Sequence, residues 1–155
     1  MSRGSVNRKR VLIVCSSGGH LQEALLAIQG VDMDKTIATF TLPHLKGMLP
    51  GVRIYHLTDP EQTFLKYLLN AAQSAWLVIR VRPQVVLTTG AGVAVASALF
   101  GKLMGAKLIV IESAARVSSL SATGSLLYRF ADLFIVQWPG LQSRYPRAIY
   151  GGCLL

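Results

Sequence analysis

The chain has 155 residues, 52% of them apolar and 15% charged. That excludes a disordered segment and fits one domain around one core. A net charge of +9 points to an anionic partner. The basic residues are dispersed apart from Arg3 to Arg10, and aromatics do not alternate with them as on a single-strand-binding surface, so a diphosphate ligand or acidic lipid is expected ahead of nucleic acid.

The mean hydropathy is +0.45, yet no uninterrupted apolar run reaches the roughly 18 residues of a membrane span. Lys66, Lys102 and Lys107 break the longest candidates. The basic start MSRGSVNRKR is followed by an apolar run that ends at Cys15, which does not read as a secretory signal. The expected location is the cytoplasmic face of a membrane, in peripheral contact. Cys15 and Cys153 lack metal-ligand spacing and read as reduced thiols, so neither metal nor cofactor is expected.

In chain order, residues 1–9 read as a flexible basic arm and 10–155 as a single domain. Val11 to Cys15 is a short apolar run typical of a buried parallel strand. Leu21 to Gln29 carries Leu21, Leu25 and Ile28 on one helical face and ends at Gly30. Thr36 to Thr41 and Val52 to Leu57 are further strands, separated by a loop with Pro43, His44, Gly47 and Pro50. Asp59-Pro60-Glu61 predicts a helix start, and Pro83 stops that helix near Val81. It is apolar on more than one face. Its spare face is expected to pack in the core, or to meet a membrane or another subunit.

Gln84 to Thr88 is the next strand, Gly90-Ala91-Gly92 a tight turn, and Val93 to Met104 a small-residue helix closed by Gly105. Lys107 to Ile111 is a strand leading into the polar loop Glu112 to Ser121. Leu126 to Ala131 reads as helix and Leu133 to Gln137 as the last strand, with tail and loop from Pro139 onward. Alternating strands and helices predict an α/β fold, a Rossmann-like parallel sheet covered by helices on both faces. Functional loops should then lie beyond the strand carboxyl ends.

Three such loops carry candidate chemistry. Ser16-Ser17-Gly18-Gly19-His20 joins the first strand to the first helix, where backbone N–H groups favour an anion. The positive end of a helix disfavours an imidazolium, so a histidine there would be a neutral proton acceptor. The bland reading is a glycine turn with an incidental histidine. Thr88-Thr89-Gly90-Ala91-Gly92 resembles part of a dinucleotide fingerprint, but Val95 stands where a small residue is wanted and no acid ends the second strand, so NAD binding is discounted. Glu112 follows a buried strand directly. It could act on a ligand, cap the next helix or pair with Arg116.

Taken together, SSGGHLQE, TTGAG, IESAARVSSLSATGSLLYRFADLFIVQWP and the closing YGG resemble the acceptor-side subunit of two-part GT-B glycosyltransferases over nearly the whole chain. Members of that family include the membrane-anchored subunit of the eukaryotic enzyme that adds the second GlcNAc to dolichol-diphosphate-GlcNAc. Bacterial relatives act on undecaprenyl-diphosphate-linked sugar in capsule and exopolysaccharide synthesis. The layout is similar, more distantly, to the N-terminal half of the peptidoglycan N-acetylglucosaminyltransferase.

The resemblance implies the N-terminal half of a GT-B enzyme and a partner chain holding the UDP-sugar half. It implies transfer, with inversion, to a polyprenyl-diphosphate-linked saccharide. It marks His20 and Glu112 as catalytic candidates, and Ser17, Gly18, Gly19, Thr89, Gly90, Gly92 and Arg116 as substrate-binding candidates. Eukaryotic members carry an N-terminal membrane anchor and this sequence shows none, so the bacterial branch is expected. Two rival readings are a non-catalytic recruiting module and a free-standing nucleotide-binding domain.

Overall fold

A computed structural model describes residues 8–40, 49–60 and 63–154. Among the described residues seven strands, β1 (Arg10–Cys15), β2 (Asp34–Thr39), β3 (Arg53–His56), β4 (Val85–Gly90), β5 (Lys107–Ile111), β6 (Leu133–Val136) and β7 (Ala148–Tyr150), form one sheet in the order β3-β2-β1-β4-β5-β6-β7. Every pairing is parallel. Among the described residues the helices are α1 (Gly19–Ala27), α2 (Phe64–Val81), α3 (Val95–Leu103, entered through a 3-10 turn at Gly92–Ala94), α4 (Ala122–Leu127) and α5 (Pro139–Arg144). The strand order reverses direction between β1 and β4. In a doubly wound sheet the crevice beyond the carboxyl ends at that point is the ligand position.

The two faces of β1 divide the core by strand alternation. Leu12 and Val14 join Leu77, Val78, Ala98, Leu127 and Leu141 on the face covered by α2 and α3. Val11, Ile13 and Cys15 join Leu21, Ala24 and Ile28 of α1 on the other. The Cys15 thiol is buried there, and desolvation pushes its pKa up to about 12 although Thr89 offers a hydrogen bond.

Several sequence expectations shift. The long helix begins at Phe64 with Thr63 as its cap, not at Asp59-Pro60-Glu61; residues 61 and 62 lie outside the described residues. The 58–60 segment is held elsewhere. Thr58 N–H donates to Gln73 Oε1 at 2.7 Å, Asn70 Nδ2 donates to Thr58 O at 2.9 Å, and Thr63 N–H donates to Pro60 O in a turn. β2 starts at Asp34, whose carboxylate accepts from Arg53 across the sheet, and residue 41, its expected end, lies outside the described residues. α4 spans Ala122–Leu127 rather than 126–131, because Ser121 Oγ accepts from Gly124 N–H and starts the helix among residues that read as loop. The stretch after Pro139 is not tail. Proline at the first helical position opens α5, and β7 pairs with β6 beyond it.

Candidate functional site

The loops after β1, β4 and β5 converge on the crevice at the switch point. A cleft of ≈ 320 Å³ there is lined by residues that include His20, Ala91, Glu112, Ser113, Arg116 and Ser121. That volume lies at the low end for a ligand site.

Gly18 caps α1 at φ +81, a conformation L side chains rarely adopt. The turn it makes brings His20 into the first turn of α1. Thr89 Oγ1 donates to His20 O at 2.6 Å and ties the end of β4 to that turn. Gly90 has φ +118, a conformation L side chains rarely adopt, and the His20 imidazole lies beside it, 3.4 Å from Cε1 to where a Cβ would stand. The next residue, Ala91, has φ 70 and ψ 156, a region populated almost only by glycine. Backbone strain is therefore held at the wall of the cleft.

Glu112 is 2% exposed. Its Oε1 accepts from Ser113 N–H at 3.2 Å, and its Oε2 accepts from Ser121 N–H at 3.0 Å and Ser121 Oγ at 3.2 Å. The carboxylate bridges both ends of the 113–121 loop and reaches the cap residue of α4. A Cβ on Gly124 would stand 1.9 Å from Oε2, so this seat exists only because residue 124 is glycine. Trp138 Nε1 donates to Ala114 O and Arg144 Nη1 to Ser118 O, both at 2.6 Å, which fixes the middle of the loop. Arg116 stands exposed at the cleft. It does not pair with Glu112, whose oxygens are filled by Ser113 and Ser121.

Of the sequence candidates, His20, Glu112 and Arg116 therefore share one cleft. Gly90 and Thr89 stand behind it, one supplying a positive-φ turn beside the imidazole and the other holding the His20 carbonyl. Ser17, Gly18 and Gly19 do not line the cleft and form the turn leading to it. Gly92 is turned toward Tyr67, whose hydroxyl a Cβ would approach at 3.7 Å.

Glu23 was not singled out by sequence. It is 2% exposed; its Oε1 accepts from Ser113 Oγ at 3.1 Å and Ala114 N–H at 2.9 Å, and its Oε2 faces His20 Nδ1 at 4.0 Å. The available signal was its spacing. Residues three apart share a helix face, and an acid among the core-facing positions of α1 needs a partner.

Solved structures share this architecture. The chain superposes on MurG from Acinetobacter baumannii with a TM-score of 0.67, at 16% identity over 84% of this chain and 42% of that one. With the UDP-N-acetylglucosamine 2-epimerase of Rickettsia bellii the TM-score is 0.72, at 12% identity over 96% of this chain and 46% of that one. The chain thus spans less than half the length of either. Its Rossmann-like fold matches the N-terminal half of GT-B glycosyltransferases such as MurG.

Residues 59–154 match the family described as "Oligosaccharide biosynthesis protein Alg14 like". The mouse UDP-N-acetylglucosamine transferase subunit ALG14 is 37% identical over 92% of this chain and 82% of its own length. The Schizosaccharomyces pombe subunit alg14 is 32% identical over 94% and 83%. The chain belongs to the Alg14 family, a family of glycosyltransferase subunits.

Proposed function

We propose that this chain is the acceptor-side subunit of an inverting, UDP-sugar-dependent glycosyltransferase. Its partner is a second chain carrying the nucleotide-sugar half. The acceptor is a polyprenyl-diphosphate-linked saccharide, in surface polysaccharide biosynthesis. The carrying observation is a half-open cleft at the switch point, in a fold that is one half of a two-domain enzyme, with an imidazole and a guanidinium on its wall.

In this reading His20 takes the proton of the acceptor hydroxyl as that oxygen attacks the anomeric carbon, and the bond to UDP breaks with its electron pair leaving on the diphosphate. Arg116 meets the acceptor diphosphate by charge-assisted hydrogen bonds. Glu112, with both oxygens already engaged, shapes the loop that carries Arg116. The apolar face of α2, where Phe64, Leu65, Leu68 and Trp76 are exposed among Lys66 and Arg80, rests on the acidic membrane that holds the acceptor.

The test is turnover of UDP-sugar and lipid-linked acceptor by the chain alone, by the chain with its partner, and by His20→Ala with its partner. Activity is expected only in the second, with the variant reduced about 100-fold or more. Turnover by the chain alone rejects the two-part reading. Full turnover by His20→Ala and by Glu112→Ala in the complex would make the chain a recruiting module, with the chemistry in its partner.

A further inference from the structure

Two buried polar atoms face each other behind the cleft, and neither has a hydrogen-bond partner: His20 Nδ1 and Glu23 Oε2, 4.0 Å apart on α1. The other Glu23 oxygen is anchored twice, by Ser113 Oγ and Ala114 N–H, so the carboxylate cannot swing away. The His20 carbonyl is held by Thr89. The imidazole lies beside Gly90 at the end of β4. The ring is 31% exposed as a side chain while Nδ1 is buried, so Nε2 is the nitrogen a ligand can reach. Closing the gap by about 1 Å gives an N–H···O bond of ordinary length, and hydrogen bonds of this kind are often long before substrate binds.

We propose that Glu23 is the positioning residue of the site: its Oε2 accepts from His20 Nδ1–H and so fixes the tautomer whose bare Nε2 faces the cleft. This rests on the reading of His20 as the base. The proton balance follows directly. In the neutral ring Nδ1 carries the hydrogen and Nε2 the lone pair. The acceptor hydroxyl gives its proton to Nε2 as its oxygen bonds to the anomeric carbon and UDP departs. The imidazolium so formed stands opposite the Glu23 carboxylate, which remains ionised throughout, and Nε2 later releases the proton to water. Because Ser113 and Ala114 hold the same carboxylate, the cleft loop and the ring are set by one group.

Glu23→Gln separates this from a merely structural role. The glutamine keeps an oxygen for Ser113 and Ala114 but turns an NH2 group toward Nδ1, which must then accept, driving the ring proton to Nε2. Nitrogen-15 NMR of the full chain, with His20 assigned by His20→Gln, reads the tautomer directly. The wild-type ring should carry its proton on Nδ1 and the variant on Nε2. Thermal stability should be retained, and kcat with the partner should fall about 100- to 10,000-fold with little change in KM. A wild-type ring protonated on Nε2 overturns the proposal whatever the variant does, and so does a tautomer unchanged by Glu23→Gln. A tautomer that moves while turnover stays intact supports the placement of Glu23 and sinks His20 as the base.

Discussion

Gly124 sets a hard limit on what residue 112 can do. A methyl group at 124 meets the Glu112 carboxylate at 1.9 Å, well inside van der Waals contact, and stands 3.0 Å from Ser121 Oγ. Gly124→Ala must either expel the carboxylate from its bonds to Ser121 or shift the start of the helix. Thermal melting should show a loss of about 1–3 kcal/mol, the usual size of an overpacked buried site. Glu112→Gln keeps an acceptor on Ser121 and should cost less. A Gly124→Ala protein as stable as the parent would show that the loop does not depend on that seat. The glycine turn before His20 was legible in the sequence as a strand–turn–helix corner, but on that motif alone the histidine reads as incidental, and it was the family resemblance that singled it out. Glu23 was not singled out. Its partners Ser113 and Ala114 lie 90 and 91 residues away in the chain, and the spacing to His20 reports only the local half of its surroundings.

At the scale of elements, β5 and α3 are tied through one carboxylate. Asp132 accepts from Lys102 Nζ at 2.6 Å, from Leu108 N–H at 2.8 Å and from Lys107 Nζ at 3.3 Å, and the Lys102 hydrogen bond first, then the Leu108 amide, hold its pKa down at about 2. A depressed carboxylate pKa stabilises the fold above its unfolded value near 4, and that stabilisation disappears as pH falls through about 2. Denaturant melts at pH 7 and pH 2 should therefore differ less for Asp132→Asn than for the parent; equal differences would show the bridge contributes nothing.

α2 makes a second prediction. Leu65 and Leu68 are 74% and 52% exposed, and replacing both with serine should weaken binding to anionic phospholipid vesicles without lowering the melting temperature. Unchanged vesicle binding would move the membrane contact elsewhere. The strands and the longer helices followed from apolar periodicity, since burial alone fixes their pattern. α5 and β7 escaped it because a six-residue helix opened by proline and a three-residue strand are too short to display a period, and only the β6 edge makes them regular.

For the whole molecule, the alternation of elements and the loops at the strand carboxyl ends gave the architecture, and the reversal at β1 and β4 located the cleft. What periodicity could not express was the pairing itself. β1 is an interior strand, third from one edge of the sheet, and is bonded on one side to β2, close behind it, and on the other to β4, about seventy residues later. During synthesis at roughly 5–20 residues per second, that interval lasts on the order of 4–14 s. Through those seconds the ribosome displays a greasy, half-zipped ribbon, Val11 to Cys15, whose bare flank would accept any extended peptide drifting past. An interior strand of the finished protein is thus, for the nascent one, an open border with unpaired backbone groups.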